Sequence, residues 1–433
     1  MSHYKPYPAY KDSGVEWLGQ VPEGWSVVPL KWLFDCLDGQ RVPLNSEQRS
    51  DIKGNIPYWG SGGVVDYIEK YIFDEPLILL GEDGAPFFER DRPVAYDIDG
   101  KSWVNNHIHV LKPLSNYPMK WFVHVLNCVE YRLYIDGSTR DKLTQDSMKG
   151  IVVVLPTCLD EAVTIVAHLD RETARIDGLV SRKTRFIELL REKRQALITH
   201  AVTKGLNPDT PMKDSGVEWL GDVPEGWELT YIKRVISSIS QGWSPECEAR
   251  PADDDEWAVL KVGCVNGEKF RSTENKALPK SLSPKPELGL KKGDVLVSRA
   301  NTRELVGGCA VIPQDFPQLM ICDKLYRLIA NKKALPEFLA ALISVYGRRE
   351  IEVEANGASA SMVNIAQSVI LNLQVALPLR DEQTLILDFL DRETTRIDTL
   401  ISKTERSIEL LKERRSALIT AAVTGQIDLR ETR

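Results

Sequence analysis

Apolar positions recur with heptad spacing in two long stretches of the chain. Alternate steps of three and four residues, from Val166 to Ala201 and from Leu387 to Ala422, meet mostly apolar side chains. Sustained over about five heptads, this spacing predicts two long helices that supercoil as a pair. The predicted seam between them consists of Leu169, Ile176, Val180, Ile187, Leu190, Leu390, Ile397, Ile401, Ile408 and Leu411. Glycines 205 and 425 follow the two stretches and predict where each helix ends.

The two helical stretches are copies of one another. HLDRETARIDGLVSRKTRFIELLREKRQALITHAVT (168–203) matches FLDRETTRIDTLISKTERSIELLKERRSALITAAVT (389–424). A shorter segment, KDSGVEWLGQVPEGW (11–25), returns as KDSGVEWLGDVPEGW (213–227), with Gln20 replaced by Asp222. The order is segment, region, helix, and then the same again, which indicates a tandem duplication of domains.

Two matching seams in one chain are expected to pack on each other, because their effective concentration is high. With a globular region between them, a pseudo-two-fold relation makes the helices antiparallel and places the regions at opposite ends of a rod. The tryptophan segments are then predicted to cap the rod ends, through Trp17, Leu18, Val21, Pro22 and Trp25 and their second copies Trp219, Leu220, Val223, Pro224 and Trp227.

The two intervening regions differ in sequence but share a pattern of predicted elements. Short β-like runs alternate with glycine turns, as in YIFDEPLILLGEDG and WVNNHIHVL, or EWAVLKVGCV and GDVLVSRAN, and a helical stretch comes late in each region. The predicted fold is two globular α/β domains of one topology, joined by two long antiparallel coiled-coil helices with tandem-repeat symmetry. The predicted boundaries are 1–25 for the first repeat segment, 26–156 for the first domain, 157–205 for the central helix, 206–227 for the connector with the second segment, 228–378 for the second domain, and 379–433 for the last helix and tail.

Composition restricts the class of protein. A chain of 433 residues holds two or three domains. Its net charge of −7 at first argues against a nucleic-acid partner, and no segment is a basic tail, so any contact with nucleic acid must come from a local patch. Seven scattered cysteines without a C-x-x-C pair favour reduced thiols in a cytoplasm. We expect no membrane span, because no window reaches about 18 apolar residues, and no signal peptide at the polar start.

Candidate catalytic motifs are incomplete. Gly100-Lys101-Ser102 lacks the first glycine of a phosphate loop, since Ala95 occupies that position, and no G-x-G-x-x-G is present. His107 and His109 could share a strand face and bind a metal, but packing or hydrogen bonding is favoured over a metal site. The acidic run 253–256 is interpreted as a solvated loop. No catalytic residue and no metal ligand is therefore predicted.

The repeats resemble the specificity subunit of type I restriction–modification systems. The resemblance rests on the tandem EWLG-x-VP-x-GW segments, on the helix endings RQALITHAVT and RSALITAAVT, and on Leu377-Pro378-Leu379 with Glu382-Gln383 before the second helix. The first copy departs, since Leu155-Pro156 is followed by Asp160-Glu161-Ala162 without Glu-Gln. The resemblance covers essentially the whole chain.

The resemblance implies a non-catalytic subunit that recognises specific sequences in double-stranded DNA. Each globular region would be a target recognition domain for one half of a bipartite, asymmetric site, and the helix pair would fix the spacer. Two methyltransferase subunits would bring S-adenosylmethionine, and two restriction–translocase subunits would bring ATP hydrolysis with Mg²⁺, so this chain itself would bind no cofactor.

Base-edge contacts are expected from polar and aromatic side chains on glycine-marked loops. The candidates in the first domain are Gln40, Arg41, Tyr58, Trp59, Ser61, Asn105, Asn106, His107, Ser138, Thr139, Arg140 and Lys142. Those in the second are Gln241, Trp243, Ser244, Lys261, Ser298, Arg299, Asn301, Thr302, Arg303, Ser359, Ser361 and Asn364. The alternative is an adaptor that does not bind DNA, in which a coiled-coil rod presents two protein-binding domains.

Overall fold

The computed structural model describes residues 4–89, 92–135, 141–218, 220–267, 269–355 and 363–430. They form two compact units: unit 1 comprises Met1–Phe186 with Lys403–Arg433, and unit 2 comprises Ile187–Ser402. Within the described residues, no helix combines the length and apolar content needed to cross a bilayer.

Unit 1 contains the first half of the elements. Its strands are β1 (Tyr10–Asp12), β2 (Gln20–Pro22), β3 (Ser26–Pro29), β4 (Phe34–Cys36), β5 (Lys53–Gly60), β6 (Gly63–Ile68), β7 (Phe73–Asp74), β8 (Leu77–Gly81), β9 (Ala95–Ile98), β10 (Lys101–Val104), β11 (Ile108–Pro113) and β12 (Val152–Leu155). The helices that begin there are α1 (Ser46–Asp51), α2 (Met119–Leu126), α3 (Gln145–Gly150) and α4 (Leu159–Lys204), whose last part belongs to unit 2.

Unit 2 contains the second half. Its strands are β13 (Met212–Asp214), β14 (Asp222–Pro224), β15 (Glu228–Tyr231), β16 (Ile236–Gln241), β17 (Ala258–Leu260), β18 (Asn275–Ala277), β19 (Gly289–Leu290), β20 (Val295–Ser298), β21 (Ala300–Asn301), β22 (Cys309–Val311), β23 (Phe316–Met320), β24 (Leu325–Ala330), β25 (Val363–Asn364) and β26 (Gln374–Leu377). The helices that begin there are α5 (Pro336–Ala355), α6 (Gln367–Leu371) and α7 (Arg380–Val423), whose last part belongs to unit 1.

Both units build the same two four-stranded sheets. The first sheet is antiparallel throughout, with the order β4-β11-β8-β9 in unit 1 and β16-β24-β20-β22 in unit 2. The second has the order β6-β5-β10-β7 or β18-β17-β23-β19, and in each case its central pair is parallel. The prediction of two α/β domains with one topology is therefore confirmed.

The core of unit 1 forms around the apolar strand β8. All five of its residues are buried, as expected for a strand that is apolar on both faces. Helix α2 packs on this sheet, where the fully buried Phe122 meets Phe34 of β4 with ring centroids 4.8 Å apart. Helix α2 ends at Leu126, and the side chain of Asn127, which follows, accepts hydrogen bonds from the backbone of Val94 and Ala95 at 2.7 and 3.0 Å.

Helices α4 and α7 run antiparallel within unit 1. Glu161, near the start of α4, lies 3.9 Å from Arg430, which follows the end of α7. Further along α4, Asp177 lies 2.9 Å from the Nε of Arg415, which precedes that end. As α4 advances from Glu161 to Asp177, the residue that it faces moves back from Arg430 to Arg415. The two helices therefore run in opposite directions, as predicted.

The same direction holds within unit 2. Arg194 donates to Asp398 at 2.9 Å, and Gly205, just after α4, lies against Glu382 at the start of α7. Gly205 and Gly425 both have positive φ, 76° and 72°, which is the C-terminal geometry that glycine provides most easily. The helix ends predicted from these glycines are confirmed.

The predicted seam positions are buried or half-buried along both helices. Leu169 and Leu390 are 0% and 7% exposed, whereas Leu410, off the seam, is 50% exposed. Threonines at equivalent seam positions, Thr173 and Thr394, each donate to the carbonyl four residues earlier at 2.7 Å. These bonds satisfy the hydroxyls without a partner across the seam.

The tryptophan segments lie against the helix ends in both units. Trp25 donates from Nε1 to Glu161 at 3.2 Å, and Trp227 donates in the same way to Glu382 at 3.1 Å. In unit 1, a Cβ on Gly425 would collide with Pro22, so this contact requires glycine. Trp219 lies outside the described residues.

The departure of the first copy before its helix has a local explanation. Glu161 keeps the role of Glu382, but Ala162 stands where the second copy has Gln383. Both are fully buried, and the Gln383 amide bonds the backbone of Leu335, Lys333 and Pro378 at 2.8 to 2.9 Å. Unit 1 replaces this polar link with an apolar contact.

Candidate nucleic-acid interface

Several predicted DNA-contacting residues of unit 1 converge where β4 and β8 end and β11 begins. We call this group cluster 1: Gln40, Arg41, Glu82, Asp83, Asn105, Asn106, His107 and Lys142. Gln40 and Asn106 are exposed, and the Asn105 side chain accepts the His107 N–H at 2.8 Å. Four segments of the chain, the fourth being the one before α3 that carries Lys142, therefore present amides, an imidazole, two cations and two carboxylates together.

Arg41 is held tightly within cluster 1. Its Nη1 lies 2.5 Å from Glu82 and 2.9 Å from the Ile108 carbonyl, and its Nη2 lies 3.4 Å from Asp38. The Arg41 side chain is 13% exposed. It therefore joins three of these segments and offers little free donor surface.

Lys142 and His107 of cluster 1 also face carboxylates. Lys142 lies 3.3 Å from Glu82, and His107 lies 3.3 Å from Asp83. Sequence reasoning missed Glu82 and Asp83. Their position directly after the fully apolar strand β8 could have indicated them, because polar residues at a strand end commonly line a site.

His109 lies beneath cluster 1 and is fully buried. Its Nδ1 lies 2.6 Å from Asp38, and its Nε2 lies 2.9 Å from the Leu143 carbonyl. Burial raises the pKa of Asp38, but the hydrogen bond and charge of His109, the backbone N–H of Val110 and the charge of Arg41 together lower that pKa overall.

Cys36, Asp38 and His109 stand close enough together to suggest a metal site. Both nitrogens of His109 already face oxygen atoms, so a metal ion would have to displace one of these bonds. His107 and His109 do not share a strand face, because His107 precedes β11 and is half-exposed, whereas His109 lies within β11 and is buried.

Tyr58 is removed from the set of candidate DNA contacts. It is 2% exposed, and its hydroxyl bonds the backbone of Leu44 in both directions. Trp59 packs on Tyr96 with ring centroids 5.5 Å apart, and its carbonyl accepts the Asn105 N–H at 3.0 Å. Trp59 and the nearby half-buried Ser61 therefore adjoin cluster 1.

The candidates of unit 2 converge at the corresponding end of its first sheet. We call this group cluster 2: Gln241, Trp243, Ser244, Arg299, Asp323, Lys324 and Lys285. Gln241 donates to the Asp323 carbonyl at 2.9 Å, and the Ser244 hydroxyl bonds the Asp323 carboxylate. Lys285 lies over the Trp243 ring at 4.4 Å.

Gly242 allows the loop after β16 to approach the strand connection closely. A Cβ at this position would overlap the backbone of Ile321 and Cys322. The Trp243 N–H donates to the Ile321 carbonyl at 3.0 Å. The glycine thus brings Trp243 and Ser244 beside Asp323.

Arg299 differs from Arg41 in its surroundings. Its Nη1 donates to the Asp323 carbonyl at 3.2 Å, and its guanidinium lies 5.9 Å from the centroid of Tyr326. Its buried Nε has no hydrogen-bond partner within the part of the chain that the structure describes. Among the described residues, no carboxylate forms an ion pair with Arg299.

Two further candidates of unit 2 are excluded by burial. Ser298 is 0% exposed within β20. Asn301 is 8% exposed and donates to Asn266 at 2.9 Å, so it fixes a turn. Neither side chain is available to a base edge.

The remaining candidates are exposed, half-buried or outside the described residues. Thr302, Arg303 and Asn364 are exposed, and Lys261 is half-buried after β17. Ser138, Thr139, Arg140, Ser359 and Ser361 lie outside the described residues.

Glu82 directly follows β8, at the end of the first sheet of unit 1. Its N–H donates to the His107 carbonyl at 3.0 Å, and its carbonyl accepts the Leu143 N–H at 2.8 Å. The Leu143 carbonyl in turn faces His109.

Arg299 occupies the equivalent position in unit 2. Its N–H donates to the Lys324 carbonyl at 2.9 Å, and its carbonyl accepts the Ile365 N–H at 2.9 Å. Tyr326 takes the place of His109 and donates to the Ile365 carbonyl at 3.0 Å. The two units therefore share a frame and place Glu82 and Arg299 at the same point in it.

Comparisons with known proteins agree with this duplicated architecture. Residues 22–185 match the family model described as the type I restriction modification DNA specificity domain. The chain is 28% identical to the type I restriction enzyme EcoEI specificity subunit of Escherichia coli over 55% of this chain and 40% of that protein. It is 25% identical to the type I restriction enzyme MjaVIII specificity subunit of Methanocaldococcus jannaschii over 94% of each chain.

A solved structure shows the same fold. It comes from work on complex assembly and conformational transition of the type I R-M system, and it superposes with a TM-score of 0.67 at 14% identity. The superposition covers 93% of this chain and 98% of the other. The duplicated segments and the paired helices agree with these comparisons: residues 22–185 match the type I restriction modification DNA specificity domain, and the chain as a whole is similar to type I restriction enzyme specificity subunits.

Proposed function

We propose that this chain is the DNA sequence-specificity subunit of a type I restriction–modification complex and recognises a bipartite, asymmetric site. The observation that carries the proposal is the convergence of polar loops at the same sheet end in both units. Cluster 1 and cluster 2 each present amides and cations on one frame, but with different side chains. Each cluster would therefore read a different half-site.

The chemistry of the clusters suits the major groove. Exposed amides such as Gln40, Asn106 and Gln241 can pair with adenine, and an arginine such as Arg299 can pair with guanine. Each good bidentate pair contributes about 1–3 kcal/mol of discrimination against the wrong base. A few such contacts in each cluster suffice for a short half-site.

The helices α4 and α7 would fix the spacer between the half-sites. Each is long, at 46 and 44 residues, and the antiparallel contacts hold the pair together in both units. We place two methyltransferase subunits and two restriction–translocase subunits around this chain, with S-adenosylmethionine, ATP and Mg²⁺ on those partners. The chain would contribute sequence recognition and no catalysis. It would act in a cytoplasm, where its seven free cysteines stay reduced.

The alternative function, an adaptor without DNA binding, makes an opposite prediction about salt. The test is equilibrium binding of duplex DNA by the full chain assembled with its methyltransferase subunit, measured from low to physiological salt. A DNA-reading complex should lose affinity at least about tenfold over this range, because counterions are released on binding. Absence of binding, or affinity indifferent to salt, would favour the adaptor.

A further inference from the structure

The two clusters differ in how their cations are neutralised. In cluster 1, Arg41 and Lys142 both face Glu82, at 2.5 and 3.3 Å, and His107 faces Asp83. Asp38 adds a further carboxylate beside Arg41. Every basic side chain of cluster 1 thus already has an acidic partner in the protein.

Cluster 2 has the opposite arrangement. Arg299, Lys324 and Lys285 form no ion pair with any carboxylate of the described residues. Lys285 is exposed and contacts the Trp243 ring, which leaves its ammonium open to solvent. The Asp323 carboxylate is engaged by the Ser244 hydroxyl rather than by a cation.

One position accounts for much of this contrast. Glu82 and Arg299 are equivalent in backbone bonding, so unit 1 has a carboxylate where unit 2 has a guanidinium. The guanidinium in unit 1 comes instead from the loop after β4, where Arg41 approaches the Asn106 carbonyl at 3.5 Å. Asp323 is the residue of unit 2 that corresponds to Asn106, and its carbonyl accepts a hydrogen bond from Arg299. In unit 1, Glu82 therefore neutralises the guanidinium of Arg41. In unit 2 the equivalent position holds Arg299 itself, so that position supplies no carboxylate.

We propose that both clusters read bases but differ in their phosphate contacts: cluster 2 adds charged contacts to phosphates through cations without an acidic partner, such as Lys285, whereas cluster 1 reads bases mainly through uncharged groups. This inference rests on the proposed function. An unpaired cation releases counterions from DNA when it meets a phosphate. A cation already paired with a carboxylate must first lose that partner, so it adds less to affinity and to salt dependence.

Two lysines provide a matched test of this division. Lys285 and Lys142 are both exposed, but Lys285 lies in cluster 2 without an acidic partner, and Lys142 faces Glu82 in cluster 1. The full chain with its methyltransferase subunit is titrated with a random-sequence duplex, and the slope of log affinity against log salt is measured. Lys285→Gln should reduce the magnitude of the slope by about 1. Lys142→Gln should change it by less than about half as much.

Glu82→Gln provides the complementary test, because it removes the shared partner of Arg41 and Lys142. It should increase the magnitude of the slope, by up to about 1. Thermal unfolding checks that this variant folds, and if it does not, the two lysine variants decide the matter alone. Equal slope changes for the two lysines would overturn the division while leaving the proposed function intact. Failure of the wild-type complex to bind the duplex would overturn both.

Discussion

At the scale of residues, the structure separates side chains that could contact DNA from those that hold the frame. Sequence reasoning found most of cluster 2, because Arg, Gln and Ser on loops beside glycine are a recognisable pattern. It also included Tyr58, Ser298 and Asn301, which are buried. Loop composition does not distinguish an exposed polar side chain from one that satisfies the backbone beneath it.

The same limit explains why Glu82 and Asp323 were missed. Their importance depends on strand pairing between segments far apart in sequence, since β8 pairs with β11 and β20 pairs with β24. The sequences of the two regions are too different to align by eye. The equivalence of Glu82 and Arg299 emerged only from their shared hydrogen bonds.

Arg299→Ala is expected to relax recognition at a single half-site. The loss should be about 1–3 kcal/mol of discrimination at one base pair, because a bidentate guanidinium contact is removed. Methylation of substrates substituted in each half-site measures this directly. Arg299→Lys, which keeps the charge but loses the planar fork, should also relax recognition. Equal loss at all positions of both half-sites, or no change, would exclude Arg299 from base reading.

At the scale of elements, the heptad pattern predicted the helices well. The heptad pattern gave the buried face of α4 and α7, the duplication gave their direction, and Gly205 and Gly425 gave their ends. Long helices are predictable because periodicity accumulates over many turns. The short strands, many of two to four residues, carry too little periodic signal to fix their boundaries or their partners.

Replacing a leucine within the seam by alanine should destabilise the chain far more than replacing one beside the seam. Leu169→Ala should lower the free energy of unfolding by about 2–5 kcal/mol, because Leu169 is fully buried and a cavity would remain. Leu410→Ala makes the same chemical change on an exposed side chain, and it should cost less than about 1 kcal/mol. Urea-induced unfolding followed by circular dichroism compares the two variants. Similar shifts in the two midpoints would contradict the assignment of the seam.

At the scale of the whole molecule, duplication explains both what is conserved and what differs between the halves of this chain. The tryptophan segments and helices are nearly identical because they make the same contacts in each unit, such as Trp25 with Glu161 and Trp227 with Glu382. The clusters differ because nothing in the frame constrains their exposed side chains. A constant frame with variable loops is the arrangement expected of a protein that reads two unrelated sequences.

The most direct test of this account is the pattern of DNA methylation in a strain that expresses this chain with its methyltransferase subunit. Genome-wide mapping of modified bases should reveal a single motif made of two unlike short sequences separated by a fixed number of unspecified base pairs. A contiguous motif, a symmetric one, or no methylation that depends on this chain would contradict the account.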